Sequence, residues 1–348
     1  MDSITHIVLG AAIGELMAGK KLGKKALLIG AVAQSLPDID FVASFWLDTS
    51  RDVWAHRGIT HSFLFVLLLT PLLAAAARRI YRSAGTPGKT GQPDDPFAMS
   101  FRQWCLFFGL QLVVHIFIDA FNAYGTGWFE PFNHTRISFN VLFVADPFYS
   151  CWLGLSFLAL LILKKNAPSR RAWARMGLLL SSVYLCYCLG NKWRIDTRVK
   201  RDLERGSVHY DRYFSTPTPF NSWLWYVVAQ DSNGYHTGYL SVFDRQPVSF
   251  RWQPRNDGLL APFLARGDVS YLLRFAGGYY TIDRWKDTLQ FNVLRFGEMN
   301  GWNDPRARCV FHYFLDYPDD NKLVVQRGRF AGWDRQTLLG YIRRIKGN

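Results

Sequence analysis

The 348-residue chain carries a formal charge of +14, and 49% of its residues are hydrophobic. In a soluble protein that excess of base points to nucleic acid, but here a mean hydropathy near zero averages an apolar first half with a polar, aromatic second half. The basic residues of the first half fall in short clusters between apolar runs, as positive-inside membrane loops do, and this excludes nucleic acid as the expected partner.

The first apolar run, Ile4 to Ala18, holds His6 near its start and Glu15 near its end. Roughly 15 residues at ~1.5 Å each cover only part of a ~30 Å hydrocarbon core, so the run is a short tilted span or a helix buried among others. No basic residue precedes it, so no secretory signal is read. After Lys20, Lys21, Lys24 and Lys25 comes a second run, Ala26 to Trp46, interrupted by Pro37-Asp38-Ile39-Asp40. Pro37 predicts a local break that turns both carboxylates inward; the plain alternative is a polar helix end.

His56-Arg57-Gly58-Ile59-Thr60-His61-Ser62 then places two imidazoles five residues apart at the mouth of a third run, Phe63 to Ala77. Histidine is mostly kept out of hydrocarbon, so the pair reads either as metal ligands or as a polar loop that stops a helix from sliding. Thr60 is a candidate N-cap for the helix beyond it. Arg78, Arg79 and Arg82 end that run, and Gly85 to Pro96 reads as a loop. The fourth run, Trp104 to Phe121, contains His115 and Asp119, four apart and on one helix face. Alone, that pair equally describes a structural hydrogen bond. The fifth run, Phe148 to Leu163, leads into Lys164, Lys165, Arg170, Arg171 and Arg175, and Met176 to Leu189 is the sixth. The five cysteines form no CxxC pair, so neither a disulfide framework nor a cysteine-zinc site is expected.

From Asn191 the character changes. Trp225 to Ala229 and Tyr235 to Phe243, around Asp231-Ser232-Asn233-Gly234, read as a β-hairpin. A second hairpin is expected between Val310 to Leu315 and Leu323 to Gln326, and Trp333 to Ile345 reads as a closing amphipathic helix. The expected fold is an α-helical multi-pass membrane domain of about five to six helices (residues 1–190). A soluble, mainly antiparallel β (α+β) domain (191–348) follows it.

If every run crosses, the three strongly basic loops share one face, which the positive-inside rule makes cytoplasmic. His6, His56, His61, the loop after Asp119 and the second domain then share the outer face. The candidate metal ligands are His6, Asp38, Asp40, His56, His61, His115 and Asp119. Imidazole with carboxylate and no thiolate suits Zn²⁺ first and Mn²⁺ or Fe²⁺ next. Such a centre carries out hydrolysis, with Arg57 holding an anionic oxygen and Asp38 as general base.

The set His6, Pro37-Asp38-Ile39-Asp40, His56 to Ser62 and His115-xxx-Asp119 resembles the YdjM-type (LexA-regulated) bacterial inner-membrane metal-dependent hydrolases. So do Asn122-Ala123-Tyr124-Gly125-Thr126, Pro131-Phe132, Arg136 and Asp146-Pro147. The resemblance covers roughly the first 190 residues and is specific in combination. It implies a multi-pass inner-membrane protein distantly like the helical multi-zinc phospholipases and nucleases, with His115 and Asp119 on zinc. It also adds Asn122 and Arg136 to Arg57 as candidate substrate-binding residues; near Asn140 it implies an acid that this chain lacks. The function expected is hydrolysis of a phosphoester such as a phospholipid or a lipid-linked envelope component, with membrane lipids as partners. The alternative is a non-enzymatic protein with a structural metal and an outer partner-binding domain.

Overall fold

The computed structural model describes residues 1–83, 99–304, 306–317, 321 and 333–347. The expected Gly85 to Pro96 loop and the strand Leu323 to Gln326 lie outside them. Helix α1 (Ser3–Leu22) is N-capped by Asp2, whose carboxylate accepts from the Thr5 backbone N–H at 3.0 Å, and its last turn carries Lys20 and Lys21 against the negative helix end. Helix α2 (Lys25–Ser35) turns straight back along it. A Cβ at Gly10 or Gly14 would overlap a carbonyl of Gly30 or Ala26, so the two backbones touch. Small residues four apart let membrane helices approach this closely. Gln111 of α5 (Phe101–Asp119) donates to the Gly10 carbonyl at 3.0 Å and keys a third helix onto the pair.

The second apolar run is broken where Pro37 stands. Beyond α2 a 3₁₀ segment, Pro37–Phe45, leaves at 57°. Short helix α3 (Thr49–Ala55) and a 3₁₀ turn, Ile59–His61, lead to α4 (Phe63–Ser83). Helices α6 (Pro147–Ile162) and α7 (Ser169–Arg205) complete the bundle. Among the described residues, three helices (α4, α5 and α7) are long and apolar enough to cross a membrane, or up to four if α2 and the bent 3₁₀ segment form one span. Helix α1 is outside that set and largely buried among its neighbours, and α6 has 16 residues.

One end of the bundle is basic. Lys21 donates to Gln103, Lys24 to the Leu161 carbonyl and Arg171 to the Leu16 carbonyl, which joins the α1–α2 turn, the start of α5 and the α6–α7 turn. His6, Asp38, His61 and Asp119 lie at the opposite helix ends. Near the basic end, Arg170 makes a bidentate pair with Glu15 at 2.9 and 2.7 Å, both side chains about 3% exposed.

Helix α7 continues past the sixth apolar run, so residue 190 falls inside a helix. Its distal residues Ile195, Val199 and Leu203 pack on Trp225, Val227 and Leu240. These belong to an antiparallel four-stranded sheet ordered β1 (Arg212–Pro217), β2 (Leu224–Gln230), β3 (Gly234–Ser241) and β4 (Arg251–Pro254). The expected hairpin is β2–β3, its turn held by the Asp231 carboxylate on the Asn233 and Gly234 N–H groups. Both faces of β2 are covered, because Tyr226 and Val228 pack with Leu294 of a second, three-stranded sheet and with Tyr279 just before it. That sheet holds β5 (Tyr280–Trp285), β6 (Thr288–Glu298) and β7 (Cys309–Phe314), with β7 antiparallel to β6. Between the sheets run α8 (Asp257–Leu260) and α9 (Gly267–Ala276), and α10 (Arg335–Ile345) closes the domain.

Removing one partner of a buried ion pair strands the other charge. Glu15→Ala is expected to lower stability by about 3–5 kcal/mol. Glu15→Met with Arg170→Met should recover most of that loss in denaturant titrations of the detergent-solubilised protein.

Candidate metal centre

Five chain segments meet at the helix ends opposite the basic loops. Helix α5 supplies His115 and Asp119, the 3₁₀ segment Asp38, the 3₁₀ turn His61, α1 His6 and the loop between α3 and that turn Arg57. One atom each from Asp38, His61, His115 and Asp119 lies within 4.8 Å of every other. The closest approach is 3.1 Å, between His61 Nε2 and His115 Nε2, and Asp38 Oδ1 lies 3.5 Å from each of those nitrogens. Asp119 Oδ2 is 3.4 and 3.7 Å from the same two nitrogens. Tetrahedral zinc with ligands at ~2.0–2.1 Å sets ligand atoms ~3.3 Å apart, so these separations suit such an ion.

The protons reinforce the fit. His115 Nδ1 is 2.5 Å from the Gln34 carbonyl, an acceptor, so Nδ1 carries the hydrogen and Nε2 keeps its lone pair. The Thr60 hydroxyl donates to Asp40 Oδ2 at 3.1 Å and lies 3.0 Å from His61 Nδ1, which makes Nδ1 the donor there too. Burial pushes the His61 imidazole down to about 3, leaving it neutral. Two lone pairs 3.1 Å apart cannot hydrogen-bond each other, and Asp119 Oδ2 and His6 Nδ1 are buried without hydrogen-bond partners among the described residues. The four atoms of the cluster, Asp38 Oδ1, His61 Nε2, His115 Nε2 and Asp119 Oδ2, are all acceptors, and such a set suits a cation.

The seven candidate ligands divide accordingly. His6 joins from the side, with Nε2 3.1 Å from Asp119 Oδ1 and its ring stacked on His115 at 3.9 Å. Asp40 stands behind His61: it accepts from the Arg57 backbone N–H at 2.6 Å and from Thr60, and contacts His56 Nδ1 at 3.2 Å. His56, more than a third exposed, faces Asp40 and is not in the four-atom cluster. Thr60 serves Asp40 and His61 instead of capping a helix. The cap role on α4 falls to Ser62, whose hydroxyl accepts from the Phe65 N–H. The Gln34 carbonyl had no signal in the sequence, because any residue supplies one.

Arg57 adopts a left-handed backbone (φ 59°), uncommon outside glycine, which lets its N–H face Asp40 while its side chain runs inward. Its Nε lies 3.2 Å from Asp119 Oδ2, Nη1 donates to Asn122 Oδ1 at 2.8 Å and Nη2 to the Met1 carbonyl at 3.1 Å. The Met1 amino group also contacts Asp119. Asn122 therefore orients Arg57. Arg136 does not line the cavity beside Asp38; its guanidinium donates to the backbone carbonyls of His56 and Trp54 and braces that loop.

A cavity of about 930 Å³ opens beside Asp38, His56 and Arg57. Ile7, Leu28, Val32 and Ile39 wall it on the bundle side, and Phe275 and Phe311 of the C-terminal domain wall it from above. That domain is seated on the site through Val53 and Tyr124, which pack into its core, and through Arg295 Nη2, which donates to the Ala123 carbonyl at 2.8 Å.

Asp40 orients a ligand without joining the cluster. Asp40→Asn is thus expected to weaken metal affinity about 10–100-fold while leaving the site loadable, with a far smaller effect from His56→Ala. Competition with a chromogenic chelator measures both.

Comparison with known proteins places the chain. It is 26% identical over 356 aligned residues, 96% of this chain and 95% of the relative, to the uncharacterized protein YfhP of Bacillus subtilis (strain 168). It is 27% identical over 135 residues, 38% of this chain and 69% of the relative, to the inner membrane protein YbcI of Escherichia coli (strain K12). No solved structure is a significant match. The sequence model of the YdjM inner membrane proteins matches residues 1–195, which run from α1 through most of α7. The chain belongs to the YdjM inner membrane protein family.

Proposed function

We propose that the protein is a membrane-bound metal-dependent hydrolase acting on a phosphoester carried by a lipid or a lipid-linked envelope component. The observation that carries this reading is the convergence of two imidazole lone pairs and two carboxylates beside a buried arginine, at the wall of a largely apolar cavity. His61, His115 and Asp119 would hold the ion, with zinc the best match to the donor set. When bound, the ion supplies Lewis-acid activation of water and of the phosphoryl group.

The remaining roles fall to side chains. Asp38 is the one member of the four with side-chain exposure, 18%, and it faces the cavity, where it takes a proton from the attacking water as general base. Arg57 lines the same cavity and holds an anionic phosphoryl oxygen, kept in place by Asn122. The apolar wall receives acyl chains: Leu28, Val32, Ile39 and Phe41 are each more than half exposed along it. With the basic loops in the cytoplasm, the site, at the opposite end of the bundle, and the C-terminal domain seated on it lie on the periplasmic face.

A second reading has support of its own. The four ligand atoms already make a full tetrahedral set, which is how structural zinc is held, and the upper domain is then a partner-binding module. Asp38→Asn separates the two. As a base, Asp38 can be lost with metal retained and turnover reduced at least about 100-fold; as a fourth structural ligand, its loss releases the metal. His61→Ala and Asp119→Ala should each abolish metal binding, and Arg57→Ala should lower kcat about 10²–10³-fold with metal unchanged. Elemental analysis of the detergent-purified variants, with turnover of a phospholipid panel, measures all four; a full metal complement in both His61→Ala and Asp119→Ala would reject the centre.

A further inference from the structure

A second cavity, of about 550 Å³, lies between the outer loop of the bundle and the C-terminal domain and shares no lining residue with the first. Arg136 and Asn140 line it from the loop, and Arg274, Tyr279 and Arg295 from the domain; among the described residues no carboxylate lines it. None of the three arginines is paired with an acid among the described residues. Glu130 and Asp40, the carboxylates whose charges reach Arg136, are not ion-paired with it; Glu130 contacts His134 Nδ1 at 2.8 Å, and Asp40 accepts from the Arg57 backbone N–H and Thr60.

The inner hydrogens of two of these guanidinium groups are spent on backbone. Arg136 donates to the carbonyls of His56 and Trp54, and Arg295 to those of Phe275 and Ala123. Carbonyls fix the groups in place without neutralising them. Arg274 lies over the Trp54 ring at 5.8 Å, and a fourth cation, Arg212, sits over the Tyr279 ring at 4.4 Å. Burial and the neighbouring Arg295 pull Arg136 down to about 10, still charged at neutral pH. Like charges brought together in a half-buried pocket repel and lose hydration unless an anion offsets them.

We propose that this pocket binds a phosphate-type anion, inorganic or borne by a lipid headgroup, and that the anion ties the outer loop to the C-terminal domain. Planar guanidinium groups match phosphate oxygens in bidentate fashion. The pocket is roomier than one phosphate, which leaves space for a substituent. Two of its arginines touch the framework of the metal centre: Arg136 braces the carbonyl of His56, and Arg295 that of Ala123, next to Asn122. The proposal does not depend on the centre being catalytic.

The test is calorimetric titration of the full-length protein in detergent with inorganic phosphate, against chloride at matched ionic strength. Arg274→Gln is the principal variant, because the Arg274 side chain makes no hydrogen bond among the described residues and its loss spares the fold. Saturable binding at one site is expected, weakened about tenfold in Arg274→Gln and less in Arg274→Lys. Repeating the titration in nanodiscs of phosphatidylcholine with and without phosphatidylglycerol identifies the source. Loss of the phosphate signal with the anionic lipid assigns a headgroup, and an unchanged signal assigns free phosphate. Absence of saturable binding below about 1 mM, or equal affinity in wild type and Arg274→Gln, overturns the proposal, the latter by placing the anion elsewhere.

Discussion

The bundle is arranged around one buried carboxylate. Asp119 ends an apolar helix with no exposure to solvent, where an unpaired charge costs several kcal/mol. What surrounds it follows from that cost: His115 one turn back on the same helix, His6 from α1, Arg57 and His61 from the loop before α4. Apart from His115, the partners come from two other pieces of chain, α1 and the loop before α4, so satisfying the charge fixes the placement of those pieces against α5. The glycine contact between α1 and α2 matters for the same reason, since it draws together the helices that carry His6 and lead to Asp38.

The C-terminal domain is part of this arrangement. Phe275 and Phe311 complete the first cavity, and the core behind them accepts Val53 and Tyr124 from the bundle. A relative aligned over 96% of the chain spans both regions. The bundle alone would leave the apolar wall near Asp38 open to water above it. Covering a polar centre in this way lowers the local dielectric and strengthens every charge interaction inside.

The sequence made the outline legible because its signals are short-range. Apolar runs broken by Lys and Arg mark helices and their ends, and Asp231 to Gly234 marks a hairpin turn whose hydrogen bonds the Asp231 carboxylate supplies. The metal centre was partly legible, since His115 and Asp119 share a helix face by spacing alone. Asp38 and Asp40 could not be told apart: only the 3₁₀ winding after Pro37 sends one to the imidazole lone pairs and the other behind His61. Arg136 entered through the family resemblance alone, because nothing in a sequence reveals that a guanidinium donates to the backbone carbonyls of His56 and Trp54. The change of region near residue 190 follows composition, whereas the helix ignores composition and runs on to Arg205.

That unbroken helix has a mechanical consequence. At ~1.5 Å per residue its 37 residues reach ~55 Å, well beyond a ~30 Å hydrocarbon layer, so the excess forms a stiff mast carrying the sheet. A mast transmits tilt and rotation but does not fold at its middle. A swing of the sheet about residue 190 is therefore ruled out by the helix itself, and movement of the upper domain against the bundle is confined to slippage along the seam where α3 meets α9 or tilting of the mast as a whole.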